Sequence, residues 1–409
     1  MSEDELVSFG DLGLSQKLVF SITDIGYRKP TPIQLKSIPI ALMGRDILGC
    51  AQTGTGKTAS FVLPIIDILS SQKSKARMPR SLILSPTREL AEQISILFEK
   101  LSKPHNLSIA LLIGGTPFTD QDKKLNKGVD ILIATPGRLI DHISRGNILL
   151  NSLKILVIDE ADRMLDMGFI PDIEKINDKI PKIRQTLFFS ATLTPEILKI
   201  GEKFVINPKL IEISPPASTS KYIDQNIVKC TNLNKPKVLE KILYSLNIKG
   251  AVIFCNRKRD IDILSKILKK KNISTLIFHG DLIQSQRQKT LNEFKKGQNK
   301  IMIASDVAGR GLDVENISHV INYDIPKNPE DYVHRIGRTG RAGKNGVAIT
   351  LITNDENKYL KEIETLICQK IKVNNKFKIH LKENLKPHID EYKFDTLKES
   401  GHIPNFLKR

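Results

Sequence analysis

Asp159-Glu160-Ala161-Asp162 follows the apolar run Leu153 to Ile158, about a hundred residues after Ala51 to Thr58, which reads AQTGTGKT. Small residues in such a loop let backbone N–H groups close around phosphate oxygens at a helix N-terminus. Thr53, Gly54, Thr55 and Gly56 form the expected cradle, and Lys57 extends to the β/γ-phosphates. Thr58 offers a hydroxyl to Mg²⁺, and Asp159, at the end of a buried strand, holds the same ion. Glu160 stands where a water-activating base belongs. The first loop position is Ala51 rather than the usual Gly, but Gly54, Gly56, Lys57 and Thr58 keep the chemistry. Either segment alone could be a structural turn. Together and in this order they predict an ATPase using ATP and Mg²⁺.

Such a site needs strands that end where the loops begin. Apolar, β-branched runs recur at Ser81–Ser85, Ile109–Ile113, Val129–Ala134, Leu153–Ile158 and Thr186–Phe189. After a break come Ala251–Cys255, Thr275–Phe278, Lys300–Ala304, His319–Asn322 and Val347–Leu351. Continuous rather than alternating apolar runs, with helix-like segments between them, predict α/β architecture with two parallel sheets covered on both faces. The break contains Pro208, Pro215, Pro216 and Ser218-Thr219-Ser220, a composition suited to a linker, with a surface loop as the alternative. The expected organisation is a first domain over 1–207, a linker over 208–221, a second domain over 222–368 and a basic tail over 369–409.

The 409-residue chain has a formal net charge of +18, which points to a polyanionic partner, most simply nucleic acid. Four scattered cysteines predict reduced thiols, and eight histidines without metal-ligand spacing predict no zinc. The acidic start MSEDELVSF lacks an apolar core and is not expected to be a signal peptide, and no apolar stretch approaches the ~18 residues of a membrane span. A cytoplasmic protein with no membrane partner is expected.

Further segments lie in a fixed order around these. Gly26 to Gln34 (GYRKPTPIQ) precedes the phosphate loop, and Pro86 to Leu90 (PTREL), Gly114-Gly115 and Thr135 to Arg138 (TPGR) each follow an apolar run. Ser190-Ala191-Thr192, Ile303 to Asp313 and Tyr332 to Arg341 (YVHRIGRTGR) complete the set. From Phe9 to Leu351 the chain resembles the DEAD-box RNA helicases of superfamily 2, most closely the compact bacterial RhlE-type members. That resemblance implies two RecA-like domains joined by a flexible linker, and local, ATP-driven opening of short RNA duplexes or remodelling of RNA–protein complexes.

It also implies roles for particular residues. Gln34 pairs with the N6 and N7 edge of adenine, Tyr27 stacks on the base, and Phe9 buttresses that segment. Arg88, Gly115, Thr135, Arg138 and Ser305 grip the RNA backbone without reading bases. Ser190 and Thr192 couple the sites through hydroxyl bonds to Asp162, while Asp313 accepts from ribose hydroxyls. His279-Gly280-Asp281 with Gln284 and Arg287 organises the second domain's surface, and Asn256-Arg257 is either a phosphate contact or a solvated turn. Arg338 and Arg341 act as arginine fingers on the γ-phosphate, and His334 and Arg335 bridge the domains. The partner implied is RNA, single-stranded or in short duplexes, with ribosome-assembly or RNA-decay proteins as possible company. A non-catalytic RNA clamp and a DNA translocase are the rival classes.

Overall fold

The computed structural model describes residues 7–51, 54–71, 78–213, 222–306, 317–340 and 344–377. The first sheet contains β1 (Ile47–Cys50), β2 (Ser81–Leu84), β3 (Ile109–Leu112), β4 (Ile131–Ala134), β5 (Ile155–Ile158), β6 (Gln185–Ser190) and β7 (Lys209–Glu212). All its pairings are parallel, in the order β3-β4-β2-β5-β6-β1-β7. The second contains β8 (Ile223–Lys229), β9 (Ala251–Phe254), β10 (Leu276–Phe278), β11 (Ile301–Ala304), β12 (His319–Asn322), β13 (Gly346–Ile352) and β14 (Lys372–Val373). Its order, β10-β11-β9-β12-β13-β8-β14, is again wholly parallel. Subtracting seven from each label turns the second order into the first, so the chain uses one topology twice.

Burial on both faces explains the continuous apolar runs. In the first sheet Ile83, Ile133, Val157 and Phe189 point into a core shared with the helix Lys57–Ser70. Their neighbours Leu82, Leu132, Leu156 and Phe188 point into a second core on the opposite face. The second sheet repeats this, with Ile253, Ile303 and Ile321 on one side and Val252, Met302 and Val320 on the other. Among the described residues, no helix is long and apolar enough to cross a membrane.

Among the described residues, ten of the fourteen strands fall on the expected apolar runs; β1, β7, β8 and β14 do not. β7 lies inside the stretch expected to be linker, where Lys209 to Glu212 pair with Ile47 to Cys50. The buried Asp46 carboxylate anchors this strand by accepting from the N–H groups of Ile206 and Thr186, both at 2.7 Å. Of the β7 side chains only Ile211 is buried, so the edge strand carries almost no apolar signal. Pro215, Pro216 and Ser218–Ser220 lie outside the described residues. β14 lies inside the expected tail and pairs with β8, and Ile371 and Phe377 beside it are buried. β8 reads as polar because of Asp224, Gln225 and Asn226, yet Gln225 is buried and accepts from the Tyr332 hydroxyl at 2.9 Å.

Gly49 in β1 shows how tightly the first sheet is packed beneath the phosphate loop. A Cβ there would lie 2.6 Å from the Phe189 ring, which is itself in tilted contact with Phe61 at 5.8 Å. Gly49→Val is therefore expected to destabilise the first domain by about 1–3 kcal/mol through overpacking. A thermal or urea unfolding midpoint equal to that of the wild type would contradict this.

Candidate active site

The phosphate loop leaves β1 at Ala51, whose N–H donates to the Ser190 carbonyl of β6 at 3.1 Å. Gly54 and Gly56 have φ of +85° and +96°, a region that favours glycine. At Gly56, the N-cap of the helix Lys57–Ser70, a Cβ would come within 2.5 Å of Gln34 Nε2 and 2.8 Å of Thr31 Oγ1. Gln34 is thus packed on the loop. Its carbonyl accepts from the Thr31 N–H at 2.9 Å and its amide donates to the Gly56 carbonyl at 3.0 Å. A primary amide has two donors and two acceptor sites, so one of each remains for a base edge. Tyr27 is half-buried and meets Phe9 edge-on at 6.3 Å. Thr55 and Thr58 are half-buried at the loop and the first turn of the helix, while Thr53 lies outside the described residues.

Lys57 is 6% exposed, and its buried Nζ has no hydrogen-bond partner among the described residues. Its charge acts on Asp159, Glu160 and Asp162, all buried at the carboxyl end of β5. Burial pushes the Asp159 and Asp162 carboxyls up, against the pull of Lys57. At Glu160 burial acts in the same direction but is outweighed by Arg163 and Lys57, so this carboxyl is held below its ordinary value. Glu160 has φ +53°, a left-handed conformation that is strained for a residue with a side chain, and it pairs with Arg163. Arg163 was not singled out in the sequence, although its i, i+3 spacing from Glu160 was visible.

The coupler is built differently from expectation. Asp162 Oδ2 accepts from the backbone N–H of Ala191 at 3.2 Å, not from the hydroxyl of Ser190 or Thr192. Ser190 Oγ accepts from the Thr192 N–H at 3.4 Å, and the buried Thr192 Oγ1 has no hydrogen-bond partner among the described residues. Thr194 caps the next helix, Pro195–Gly201, accepting from the Ile197 N–H at 3.3 Å.

The second sheet faces this site. His334 Nε2 lies 3.9 Å from Asp162 Oδ2 and so reaches the first half. Arg335 does not. Its guanidinium donates to both Asp306 carboxylate oxygens, to the Asp324 carbonyl and to Asn256 and Asn322 side chains, all in its own half. Five acceptors packed beneath the helix Pro329–Ile336 make it an internal hub, and they also occupy Asn256 structurally. Arg338 is buried, donates to the His334 carbonyl at 3.2 Å, and its charge helps to hold the Glu160 carboxyl down. Arg341 and Asp313 lie outside the described residues.

The turns expected to grip RNA line one edge of the first sheet. Thr135 starts the helix Pro136–Ser144 without a side-chain capping bond, leaving its hydroxyl available. Arg88 packs on Gly114 and Gly115, where an added Cβ would meet its guanidinium at 2.9 and 2.5 Å. Arg138 is largely committed within its own domain: it donates to the Ile113 and Thr116 carbonyls and lies over the Phe118 ring. Ser305, just after β11, has a buried hydroxyl with no hydrogen-bond partner among the described residues. Gln284 and Arg287 do more than organise their own surface. Arg287 binds Glu89 at 2.7 Å, and Gln284 reaches Arg88 at 3.4 Å and Glu92 at 3.1 Å. Sequence reasoning passed over Glu89 and Glu92, because their partners lie almost two hundred residues away.

A phosphate cradle on one parallel sheet, faced by cationic residues from a second sheet of the same topology, defines a two-domain RecA-like ATPase. The DEAD/DEAH box helicase model matches residues 31–200, and the helicase conserved C-terminal domain model matches residues 234–343. The chain is 44% identical over 359 residues to the ATP-dependent RNA helicase CshA of Listeria monocytogenes, covering 88% of this chain and 68% of that one. It superposes on S. cerevisiae Dbp5 bound to RNA and ADP BeF3 with a TM-score of 0.83 at 30% identity, covering 90% of this chain and 95% of that one. A DEAD box protein of the hyperthermophile Methanococcus jannaschii is 41% identical, with a TM-score of 0.52 and coverage of 90% and 99%. The chain belongs to the DEAD-box RNA helicase family and is an ATP-hydrolysing, ATP-dependent RNA helicase.

The Glu89–Arg287 pair yields a test. Truncating one partner of a buried charge pair costs about 2 kcal/mol or more, or roughly 30-fold in affinity. Arg287→Ala should weaken RNA binding by that factor when a non-hydrolysable ATP analogue is present, and much less without nucleotide. Equal losses in a fluorescence-anisotropy titration under both conditions would argue against an interdomain role.

Proposed function

We propose that ATP binds between the two sheets and RNA lies across both, so that each ligand favours the closed arrangement and hydrolysis releases it. The observation that carries this reading is the buried Lys57 ammonium, set against three carboxylates, with the charge of Arg338 reaching Glu160 from the other domain. Support for closure comes from the comparison in shape. The arrangement is closer to yeast Dbp5 holding RNA and ADP BeF3 than to the Methanococcus jannaschii protein of higher identity.

In this proposal Gln34 and Tyr27 orient adenine, and Thr53, Gly54, Thr55 and Gly56 cradle the phosphates. Lys57 neutralises the β/γ-phosphates, Glu160 takes a proton from the attacking water, and Arg338 and Arg341 stabilise the transferred phosphoryl group. Asp313 holds the ribose. Magnesium fits the donor set, since Asp159 and Thr58 are hard oxygen donors and, among the described residues, no group donates to Asp159 Oδ2. When bound it would supply charge neutralisation at the phosphates, which one protein carboxylate plus substrate oxygens ordinarily suffices to hold.

Arg88, Gly115, Thr135, Arg138 and Ser305 form the proposed RNA track, and Asp162, Ser190, Thr192 and His334 the coupling between sites. Contacts to the backbone alone make binding largely independent of sequence. At ~1.4 kcal/mol per stacking step, taking RNA as similar to DNA, one closure disrupts a few steps, so local opening of short duplexes follows rather than long travel. We place the domain boundary between β7 and β8, with the first domain beginning before Phe9. Kinship to RhlE-type members is a proposal too; the measured similarity is to CshA-named helicases. A cytoplasmic setting is proposed from the unpaired cysteines, of which Cys50 and Cys255 are buried.

ATPase assays with RNA, matched DNA and no nucleic acid test the reading. RNA should stimulate hydrolysis, and stimulation by DNA alone would overturn it. Glu160→Gln should lower the stimulated rate by about 10²–10⁴-fold while ATP still binds. Arg338→Ala should lower it by ~10³-fold or more. Lys57→Ala should weaken ATP binding itself, visible by isothermal titration; an unchanged affinity would remove Lys57 from the cradle.

A further inference from the structure

Arg163 is a charged residue at the site for which the reaction above has no use. It is 2% exposed on the short helix Ala161–Asp166, and its Nη1 donates to Glu160 Oε2. Its Nε and Nη2, the edge that ordinarily forks onto a carboxylate or phosphate, are buried and have no hydrogen-bond partner among the described residues. A guanidinium is thus kept out of water with one ionic contact. Burying a charge this way is costly, and an apolar side chain of similar volume commonly packs as stably or better. Packing alone therefore gives a poor account of an arginine here.

Glu160 supplies the better account. Its left-handed backbone, at φ +53°, sets it at the N-cap of the helix that carries Arg163. Of its two carboxylate oxygens, Oε2 is taken by Arg163, and among the described residues Oε1 accepts no hydrogen bond. One oxygen is anchored and the other is available to water. We propose that Arg163 is a positioning residue for hydrolysis, fixing the Glu160 carboxylate by one oxygen so that the other is presented to the attacking water.

The pair is present in the same arrangement in which Arg338 acts on Glu160 and His334 faces Asp162. It belongs to the assembled site, which favours positioning over a lock that must open before the domains meet. The inference rests on Glu160 as the base.

The test is steady-state ATPase of the full chain with saturating RNA, for wild type, Arg163→Met, Glu160→Gln and the double variant. Misplacing a reacting group by about 1 Å can cost ~10²-fold, so Arg163→Met should lower kcat by about 10- to 100-fold. KM for ATP should stay within about twofold, the pattern of an interaction made in the transition state. In the Glu160→Gln background, adding Arg163→Met should change the residual kcat by less than about twofold. Three results would overturn the inference: an unchanged kcat, a raised rate without RNA, or equal losses in both backgrounds. If thermal unfolding shows that Arg163→Met does not fold, Arg163→Lys is judged by the same criteria, with a loss of about threefold or more expected. Absence of RNA-stimulated hydrolysis in the wild type would instead strike at the proposed function.

Discussion

A buried ammonium set against three buried carboxylates is the constraint around which both domains are arranged. Asp159, Glu160 and Asp162 bring three potential negative charges to the end of β5, and the first domain answers with Lys57 and Arg163. The third positive charge, Arg338, comes from the second domain. In a medium of low dielectric such a set is tolerable only when its members are paired. Charge balance at the site is therefore tied to how the second domain meets the first.

The RNA-facing edge is joined to the same event by a separate set of contacts. Glu89 and Arg287, with Gln284 between Arg88 and Glu92, cross from one domain to the other on the turn expected to grip RNA. A turn that meets the second domain and, as proposed, binds backbone phosphates would not respond to one without affecting the other. That would be the physical content of reciprocal coupling between ATP and RNA. Arg335 takes a different part: by gathering five acceptors it holds the helix Pro329–Ile336 in place, so that His334 and Arg338 face the first domain.

Much of this was legible in the residues. A buried parallel strand must be apolar throughout, so β2, β5, β9 and β12 stood out, and the chemistry-bearing turns sat where those runs stopped. The edge strands were not legible. β7 buries one side chain of four and β14 has only two residues, so neither needs an apolar pattern. β8 looked polar because its Gln225 is buried for the sake of the Tyr332 hydroxyl, a partner 107 positions away.

Short-range geometry was thus written in the chain: which loop leaves β1 for the helix Lys57–Ser70, which carboxylates end β5, which glycines must bend. Pairing across the molecule was not. Arg287 meets Glu89 over a separation of 198 positions, and Asp162 meets a backbone N–H of Ala191 rather than a hydroxyl. Local spacing determines backbone geometry, because neighbouring residues share one helix or turn. Which distant groups satisfy a buried charge depends on how two sheets face each other, and only the tertiary structure decides that.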